Sequence, residues 1–291
     1  MKDETKCLHP GYEPRNTEPR VVPIMQSTSY VYDSIEDIGE VFDQPLKSLI
    51  YSRFPNSTVM AVERKIAALE DGVGVLCTSS GQVAILIAIL NLCKSGDSIV
   101  SPTQIYGGAI NLFSFTLKKL GIDCIFVDCD ADAETLSAAF QPNTKAVFAE
   151  TIANPALAVL DIEKFASVSH VHGVPLIIDN TFATPILCKP FEYGAEIVLH
   201  STSKYMDDHA VQVGGVIVDS GNFDWSNGKF PDISYHGIFY TKDYGKSTYI
   251  VKARIQYMRD FAVYPTANSA FLLNLGLETL PIRFESQYGN I

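Results

Sequence analysis

From about residue 57 onward, apolar and polar positions alternate between two periods along the chain. Apolar residues at helical spacing (Val59, Val62, Ile66 and Leu69) predict a helix that ends near Gly72. Short apolar runs predict strands at VGVLCT, SIVSP, DCIFVDC, AVFAET, PLIIDN, IVLHS and VGGVIVDS. Several of these runs are apolar throughout, which is typical of strands covered on both faces. The pattern therefore predicts an α/β fold with a mostly parallel sheet sandwiched by helices.

The two ends of the chain lack this alternation. Residues 1–56 are rich in Pro and turn residues, which predicts an extended N-terminal arm before an α/β domain at 57–250. Residues 251–291 begin with a new helical pattern, and we expect them to open a C-terminal domain that is incomplete in this sequence. The helix SAFLLNLGLETL would then lack a partner. The residues expected to be left exposed are Phe271, Leu272, Leu275 and Leu277.

Composition argues against several functional classes. The net charge is −11 and the sequence has no Lys/Arg cluster, so we expect no nucleic-acid partner. We expect no secretory signal, because the first residues lack an apolar region. The longest apolar run, Val83 to Cys93, is too short to cross a bilayer and predicts a buried helix. The six cysteines have neither zinc-ligand nor C-x-x-C spacing, so we expect reduced thiols, a cytoplasmic location and no metal site.

Polar residues that could carry chemistry follow the predicted strands. Asp179 ends PLIID, Lys204 comes shortly after IVLH, and Ser80 and Gly81 follow VGVLC. Each has an ordinary alternative: a turn residue, a solvated lysine and a helix cap. However, the carboxyl ends of parallel strands share one edge of a sheet, where ligands bind. A helix N-terminus for phosphate, a strand-end Asp and a nearby Lys together indicate a pyridoxal phosphate (PLP) site.

Longer stretches carry a family resemblance that covers nearly the whole chain, from IMQSTSYVYDS to LLNLGLETLP. They are IYGGAINLF, AETIANPAL, IIDNTFATPILCKPFEYGAEIVLHSTSKYMDDHA and GGVIVDSGNFDW. The chain resembles the cystathionine γ-synthase-like, or Cys/Met metabolism, family of PLP enzymes. Within that family it is most similar to O-acetylhomoserine sulfhydrylases. The resemblance implies the aminotransferase-like large domain of fold type I PLP enzymes.

The resemblance also implies roles for single residues. Lys204 matches the lysine that binds the cofactor covalently, and Asp179 matches the partner of the pyridine nitrogen. Tyr106 matches a tyrosine that stacks on the cofactor ring and shuttles protons. Asn154 matches a residue near the cofactor O3′ or the substrate. Outside the family pattern, Tyr106 would be read as a core aromatic residue and Asn154 as a turn before Pro155.

A further set of residues is implied to bind the cofactor phosphate. Its members in the same chain are Ser80, Gly81, Gln82, Ser201 and Ser203. Tyr51 and Arg53, in IYSRFPNST, match a pair that reaches the phosphate of a neighbouring subunit. We therefore expect a homodimer or a homotetramer, although interface packing alone would also account for Tyr51.

The implied reaction is a γ-replacement. The substrates would be O-acetylhomoserine and sulfide or a thiol, and the product homocysteine or methionine. Lys204 would remove the α-proton of the amino acid. A methionine or cystathionine γ-lyase would use the same residues, but methionine γ-lyases commonly carry Cys where this chain has Gly108. The alternative from another class is a non-catalytic fragment.

Two departures from the family pattern bear on this reading. Asp208, in YMDDHA, stands where the family usually has Gly. The usual Gly indicates a tight backbone turn near Lys204. In the family, an Arg that binds the substrate carboxylate belongs to the C-terminal domain, and no residue here matches it. We therefore expect the chain as written to be a poor catalyst.

Overall fold

A seven-stranded sheet forms the centre of the computed structural model, which describes residues 1–43, 49–230 and 237–289. The strands are β1 (Gly74–Thr78), β2 (Ser98–Pro102), β3 (Asp123–Val127), β4 (Thr144–Glu150), β5 (Leu176–Asp179), β6 (Ile197–His200) and β7 (Gly215–Asp219). Their spatial order is β1-β7-β6-β5-β4-β2-β3. Strand β7 pairs antiparallel with β1 and β6, and the other pairs are parallel. The predicted strands and the mostly parallel sheet are confirmed.

Helices pack on both faces of this sheet. In the described ranges they are α1 (Asp3–Leu8), α2 (Ile35–Asp43), α3 (Ser57–Glu70), α4 (Gly81–Leu90), α5 (Gly107–Asn111), α6 (Ala133–Ala138), α7 (Ile162–Val171), α8 (Thr184–Leu187), α9 (Tyr240–Tyr244), α10 (Thr248–Lys252), α11 (Arg259–Phe261), α12 (Ala267–Glu278) and α13 (Leu280–Tyr288). Helix α5 continues as a π-helix at Leu112–Leu117, and α10 continues as one at Ala253–Met258. Short 3₁₀ turns lie at Pro190–Tyr193 and Gly245–Ser247.

Neighbouring residues of the strands enter different cores, because side chains alternate across a sheet. In β1, Leu76 packs in the cluster that contains α4, whereas Val75 and Cys77 pack in the cluster that contains α3 and α12. In β5, Ile177 joins the α4 cluster and Ile178 joins the cluster around α7. Both faces of the sheet are therefore covered, which explains why its strands are apolar throughout.

Local signals in the sequence account for the two helices that flank β1. The Asn56 side chain caps α3 by accepting hydrogen bonds from the backbone N–H groups of Thr58 and Val59. Helix α3 ends where Asp71 takes a left-handed conformation (φ 57°), one residue before the predicted Gly72. Helix α4 covers most of the apolar run that predicted a buried helix, and Ala84, Ile85, Ile87, Ala88 and Ile89 are buried.

The N-terminal segment is only partly the predicted extended arm. Residues 9–34 contain no helix and only an isolated bridge at Ser29, as expected. Residues 3–8 and 35–43 instead form α1 and α2, and Cys7 of α1 is fully buried among apolar residues of α3, α12 and α13. Lys6 also forms an ion pair with Asp71 at 2.5 Å, and Asp3 forms one with Lys189 at 3.1 Å. These contacts fasten the start of the chain to the α/β domain. The domain boundaries themselves stay a prediction.

The prediction for the helix SAFLLNLGLETL, which forms most of α12, was wrong at one position. Leu277 is fully buried, because α12 packs against α3. Leu275 is 40% exposed, as expected, and Phe271 and Leu272 are partly buried.

None of the described helices combines the length and apolar character that crossing a membrane requires. All six cysteines are unpaired, and four of them are buried.

Candidate active site

The carboxyl ends of β1, β4, β5 and β6 surround a cavity of about 290 Å³. Nine of the eleven residues predicted for the site line it. They are Ser80, Gly81, Gln82, Tyr106, Asn154, Asp179, Ser201, Ser203 and Lys204. Their meeting follows from the topology, because the strands before Ser80, Asp179 and Ser201 run in the same direction.

The N-terminus of α4 forms one wall of this cavity. The Ser80 hydroxyl caps the helix and accepts a hydrogen bond from the backbone N–H of Val83 at 3.2 Å. A Cβ atom on Gly81 would lie 2.6 Å from Cβ of Ser201 and 2.9 Å from its Cα. Gly81 therefore allows the helix N-terminus to approach the segment after β6. Free backbone N–H groups and serine hydroxyls then lie together, an arrangement that suits a phosphate.

Asp179 is held at the end of β5 by its own turn. Its Oδ1 atom accepts hydrogen bonds from the backbone N–H and the hydroxyl of Thr181, at 3.0 and 2.5 Å. The same hydroxyl accepts a bond from the backbone N–H of Ser201 at 2.8 Å. Burial raises the pKa of Asp179, while the Thr181 bonds and the charge of His200 oppose that rise. The carboxyl group is thus fixed in direction and suits a cationic partner in the cavity.

Lys204 lies in a turn after β6 and its side chain is exposed to the cavity. The backbone N–H of Lys204 donates to the carbonyl of Ser201 at 3.2 Å, and the N–H of Asp208 donates to the carbonyl of Lys204 at 2.8 Å. The Ser203 hydroxyl accepts a bond from the N–H of Gly214 at 2.9 Å. The lysine is therefore presented by a turn that is bonded at both ends.

The turn after Lys204 has the tight geometry that its sequence predicts. Asp208 has φ 59°, in the left-handed region that favours glycine. Asp is among the residues that tolerate this region better than most. Its carboxylate lies 2.8 Å from the guanidinium of Arg283, which also donates to the carbonyl of Tyr205 at 2.9 Å. Arg283 thus pairs with the negative charge that Asp208 introduces where the family usually has glycine.

Comparison with known proteins identifies the family. The family model described as Cys/Met metabolism PLP-dependent enzyme matches residues 4–290. The chain belongs to this family. It is 41% identical over its full length to O-acetyl-L-homoserine sulfhydrylase of Leptospira meyeri, covering 69% of that protein. It is 43% identical over 99% of its length to homocysteine synthase of Schizosaccharomyces pombe, again covering 69%.

Two solved structures have the same fold as this chain. A crystal structure from Campylobacter jejuni, described as an O-acetylhomoserine (thiol)-lyase, superposes on 98% of the chain with a TM-score of 0.92 and 33% identity, over 72% of that protein. That protein carries N'-pyridoxyl-lysine-5'-monophosphate. Cystathionine γ-lyase of Lactobacillus plantarum superposes on 97% of the chain, and 65% of that protein, with a TM-score of 0.79 and 31% identity. These likenesses confirm the predicted fold type and the PLP-dependent family.

The cavity of this PLP-family chain has the groups that the cofactor requires. The close approach of Gly81 to Ser201 brings a helix N-terminus and serine hydroxyls together in the cavity wall, the kind of donor group that binds phosphate. Both bonds from Thr181 fall on Oδ1 of Asp179, so a second carboxylate oxygen remains for a protonated ring nitrogen. The exposed amine of Lys204 lines the same cavity. The residues present therefore fit PLP.

The cavity also contains residues that sequence reasoning missed. Glu150 ends β4 and is buried, and its two carboxylate oxygens accept bonds from the backbone N–H groups of Tyr106 and Asn154. Thr181 connects Asp179 to Ser201. The strand-end signal that identified Asp179 also applies to Glu150 in AVFAET, and Thr181 stands in the stretch DNT. Both residues were therefore available to the same reasoning.

Tyr51 and Arg53 do not line the cavity of their own chain. Arg53 donates to the carbonyl of Arg259 at 2.8 Å, and its guanidinium lies over the rings of Tyr51 and Phe54 at 5.4 Å. Tyr51 is 39% exposed. Their predicted contact with the phosphate of a neighbouring copy stays a prediction.

Proposed function

We propose that this chain carries the active site of a PLP-dependent enzyme that exchanges the γ-substituent of O-acetylhomoserine for sulfide or a thiol. The observation that carries the proposal is the convergence of Lys204, Asp179 and the α4 N-terminus on one cavity. It is supported by 41–43% identity to relatives named sulfhydrylase or homocysteine synthase. In the net reaction, the bond from Cγ to the acetate oxygen breaks and a bond from Cγ to sulfur forms. Homocysteine or methionine and acetate are the products.

The side chains around the cavity suit this reaction. Bound PLP supplies an electron-withdrawing ring that stabilises negative charge at the substrate Cα. Asp179 would hold the ring nitrogen in its protonated form, and the α4 N-terminus would bind the phosphate with Ser80, Ser201 and Ser203. The amine of Lys204 takes the proton from Cα. Tyr106, which is 49% exposed at the start of α5, has room to lie against a bound ring.

The neighbourhood of Gly108 favours a sulfhydrylase over a γ-lyase. A Cβ atom at this position would lie 2.3 Å from the Tyr106 ring and 3.1 Å from the Gln82 side chain. The amide of Gln82 also donates to the carbonyl of Gly108 at 2.9 Å. A cysteine at this position would therefore displace the Tyr106 ring. The present arrangement does not suit the side chain that methionine γ-lyases commonly carry here.

The assay measures two products from the purified chain supplied with PLP. O-acetylhomoserine with sulfide should release acetate and yield homocysteine, whereas L-methionine should yield little α-keto acid. Lys204→Ala is the control for background reaction. Faster release of α-keto acid from methionine than of acetate from O-acetylhomoserine would establish the lyase. A cofactor-loaded chain that forms neither product would support the non-catalytic alternative.

We also propose a homodimer or homotetramer and a cytoplasmic location. The exposed Tyr51 beside Arg53 supports assembly, because this pair does not serve the cavity of its own chain. Six unpaired cysteines are in keeping with a reducing compartment. Light scattering on the purified protein tests the assembly, and a single-chain mass at micromolar concentration would refute it. Fluorescence microscopy of a tagged chain tests the location.

A further inference from the structure

Two carboxyl groups lie side by side at the edge of the sheet. Glu150 ends β4 and Asp179 ends β5, and the two residues are paired in the register of these parallel strands. Both line the cavity. The proposed function assigns a role to Asp179 and none to Glu150. A buried carboxyl group needs partners of its own, because leaving it without them is costly.

The partners of Glu150 are the backbones of two other predicted site residues. Its Oε1 atom accepts from the N–H of Tyr106 at 2.7 Å, and its Oε2 atom accepts from the N–H of Asn154 at 3.2 Å. Tyr106 precedes α5, after β2, whereas Asn154 lies in the segment after β4. One side chain therefore connects two separate segments of the cavity wall. Neither bond depends on the side chain of Tyr106 or Asn154.

The proton on Glu150 decides whether both bonds are made. An ionised carboxylate accepts at both oxygens, whereas a protonated carboxyl has one good acceptor and one O–H donor. Burial and, to a smaller extent, the charge of Asp179 raise the pKa of Glu150 to about 8, and its two N–H partners oppose that rise. The other ionisable groups that line the cavity are Lys204, from the turn after β6, and Tyr106.

We propose that Glu150 is a positioning residue, whose carboxylate fixes the segment of Tyr106 relative to that of Asn154 and releases one of them when it is protonated. The bond to Asn154 is the longer of the two and is the one expected to be lost. The consequence for the cofactor rests on the proposed function. Tyr106 and Asn154 are best placed to hold a cofactor when Glu150 is ionised.

The direct test is amide hydrogen exchange on the cofactor-free protein. Exchange at Tyr106 and Asn154, corrected for intrinsic rates, is compared at pH 6.5 and 9. In the natural chain, protection of Asn154 should increase by about tenfold at the higher pH, as expected for one hydrogen bond to a charged acceptor. Glu150→Gln has a single acceptor oxygen at every pH, so this increase should vanish. Glu13→Gln, at an exposed glutamate, is the matched control.

A second readout is the affinity for PLP, measured by quenching of protein fluorescence at pH 8.5. Glu150→Gln should weaken binding by about tenfold, while Glu13→Gln should leave it unchanged. The inference would be overturned if Glu150→Gln and the natural chain had the same amide exchange rates and the same affinity for PLP. If PLP binds to neither protein, the proposed function fails, whereas amide exchange still decides the role of Glu150.

Should Glu150→Gln fail to fold, the natural chain alone provides the test. In an NMR titration, the Glu150 carboxyl signal and the amide signals of Tyr106 and Asn154 should shift with one common midpoint. This coupling is not expected of a carboxyl group that only fills space in the wall. Separate midpoints for the carboxyl and for both amides would overturn the inference.

Discussion

Replacing Gly81 with Ala tests whether the close approach of α4 to the segment after β6 forms the phosphate site. The added Cβ would lie 2.6 Å from Cβ of Ser201, 2.9 Å from its Cα and 3.0 Å from its hydroxyl oxygen. Carbon atoms prefer separations of roughly 3.5–4.0 Å. The helix N-terminus and Ser201 must therefore move apart by about 1 Å. Such a shift widens the gap between α4 and Ser201, where the phosphate is expected to bind.

The size of the effect follows from two opposing contributions. Overpacking of this kind costs about 1–3 kcal/mol in the free energy of unfolding. Ala in place of Gly restricts the unfolded chain, which contributes about 0.4–1 kcal/mol in the other direction. Gly107→Ala, in the first turn of α5, makes the same chemical change with no atom within 4 Å of the new Cβ. The difference between the two variants isolates the overpacking, and we expect Gly81→Ala to be less stable by about 1–3 kcal/mol.

Two measurements test the Gly81→Ala prediction. Urea unfolding of the cofactor-free variants gives the difference in the free energy of unfolding. Titration with PLP gives the affinity, which should fall at least about tenfold in Gly81→Ala relative to Gly107→Ala if 1.4 kcal/mol or more of phosphate binding is lost. Equal stability and equal affinity in the two variants would refute the reasoning. A loss of stability without a loss of affinity would show that the phosphate binds elsewhere.

The other predictions concern single charged groups. Lys204→Ala should keep the fold, since this side chain is exposed. Borohydride should fix PLP covalently to the natural chain but not to Lys204→Ala. A borohydride-fixed PLP adduct on Lys204→Ala would contradict the assignment. Asp179→Asn should bind PLP but lose turnover by a factor of at least about 100, because the ring nitrogen loses its anionic partner; unchanged turnover would reject that role. Burial raises the pKa of Asp219 to about 7, so its contribution to stability is complete below about pH 4 and is lost as the pH rises through 7. Urea unfolding should therefore show the natural chain losing stability relative to Asp219→Asn between pH 4 and 7, and a constant difference would contradict this sign.

Strand positions were predictable because each strand has a local signature. Runs such as PLIID and IVLH are apolar throughout, and both become central strands covered on two faces. The N-terminal arm was less predictable. Residues 3–8 carry no strong helical pattern. Helix α1 is stabilised by burial of Cys7 and by the ion pairs Lys6–Asp71 and Asp3–Lys189, whose members lie 65 and 186 positions apart in the sequence. Tertiary contacts of this range leave no local trace in a sequence.

The candidate site was predictable to the extent that it follows from strand ends. Asp179 and Lys204 come just after apolar runs, so their meeting at one edge of the sheet was expected. The bridge that Glu150 makes between Tyr106 and Asn154 was not, since it depends on where two loops run after leaving the sheet. Polarity and spacing along a chain do not specify the course of such loops.

Asp208 shows how a departure from a family pattern can be tolerated at a distance in the sequence. The usual glycine at this position indicated a left-handed turn, and Asp208 does have φ 59°. What the sequence did not reveal is the compensation, because Arg283 lies 75 residues further on and approaches only through the packing of α12 and α13. Arg283 contacts the Asp208 carboxylate and the carbonyls of Tyr205 and Gly276 together. Arg283 of α13 therefore ties the turn that presents Lys204 to α12 and α13, and its ion pair with the Asp208 carboxylate is the one of these contacts that a glycine would not make.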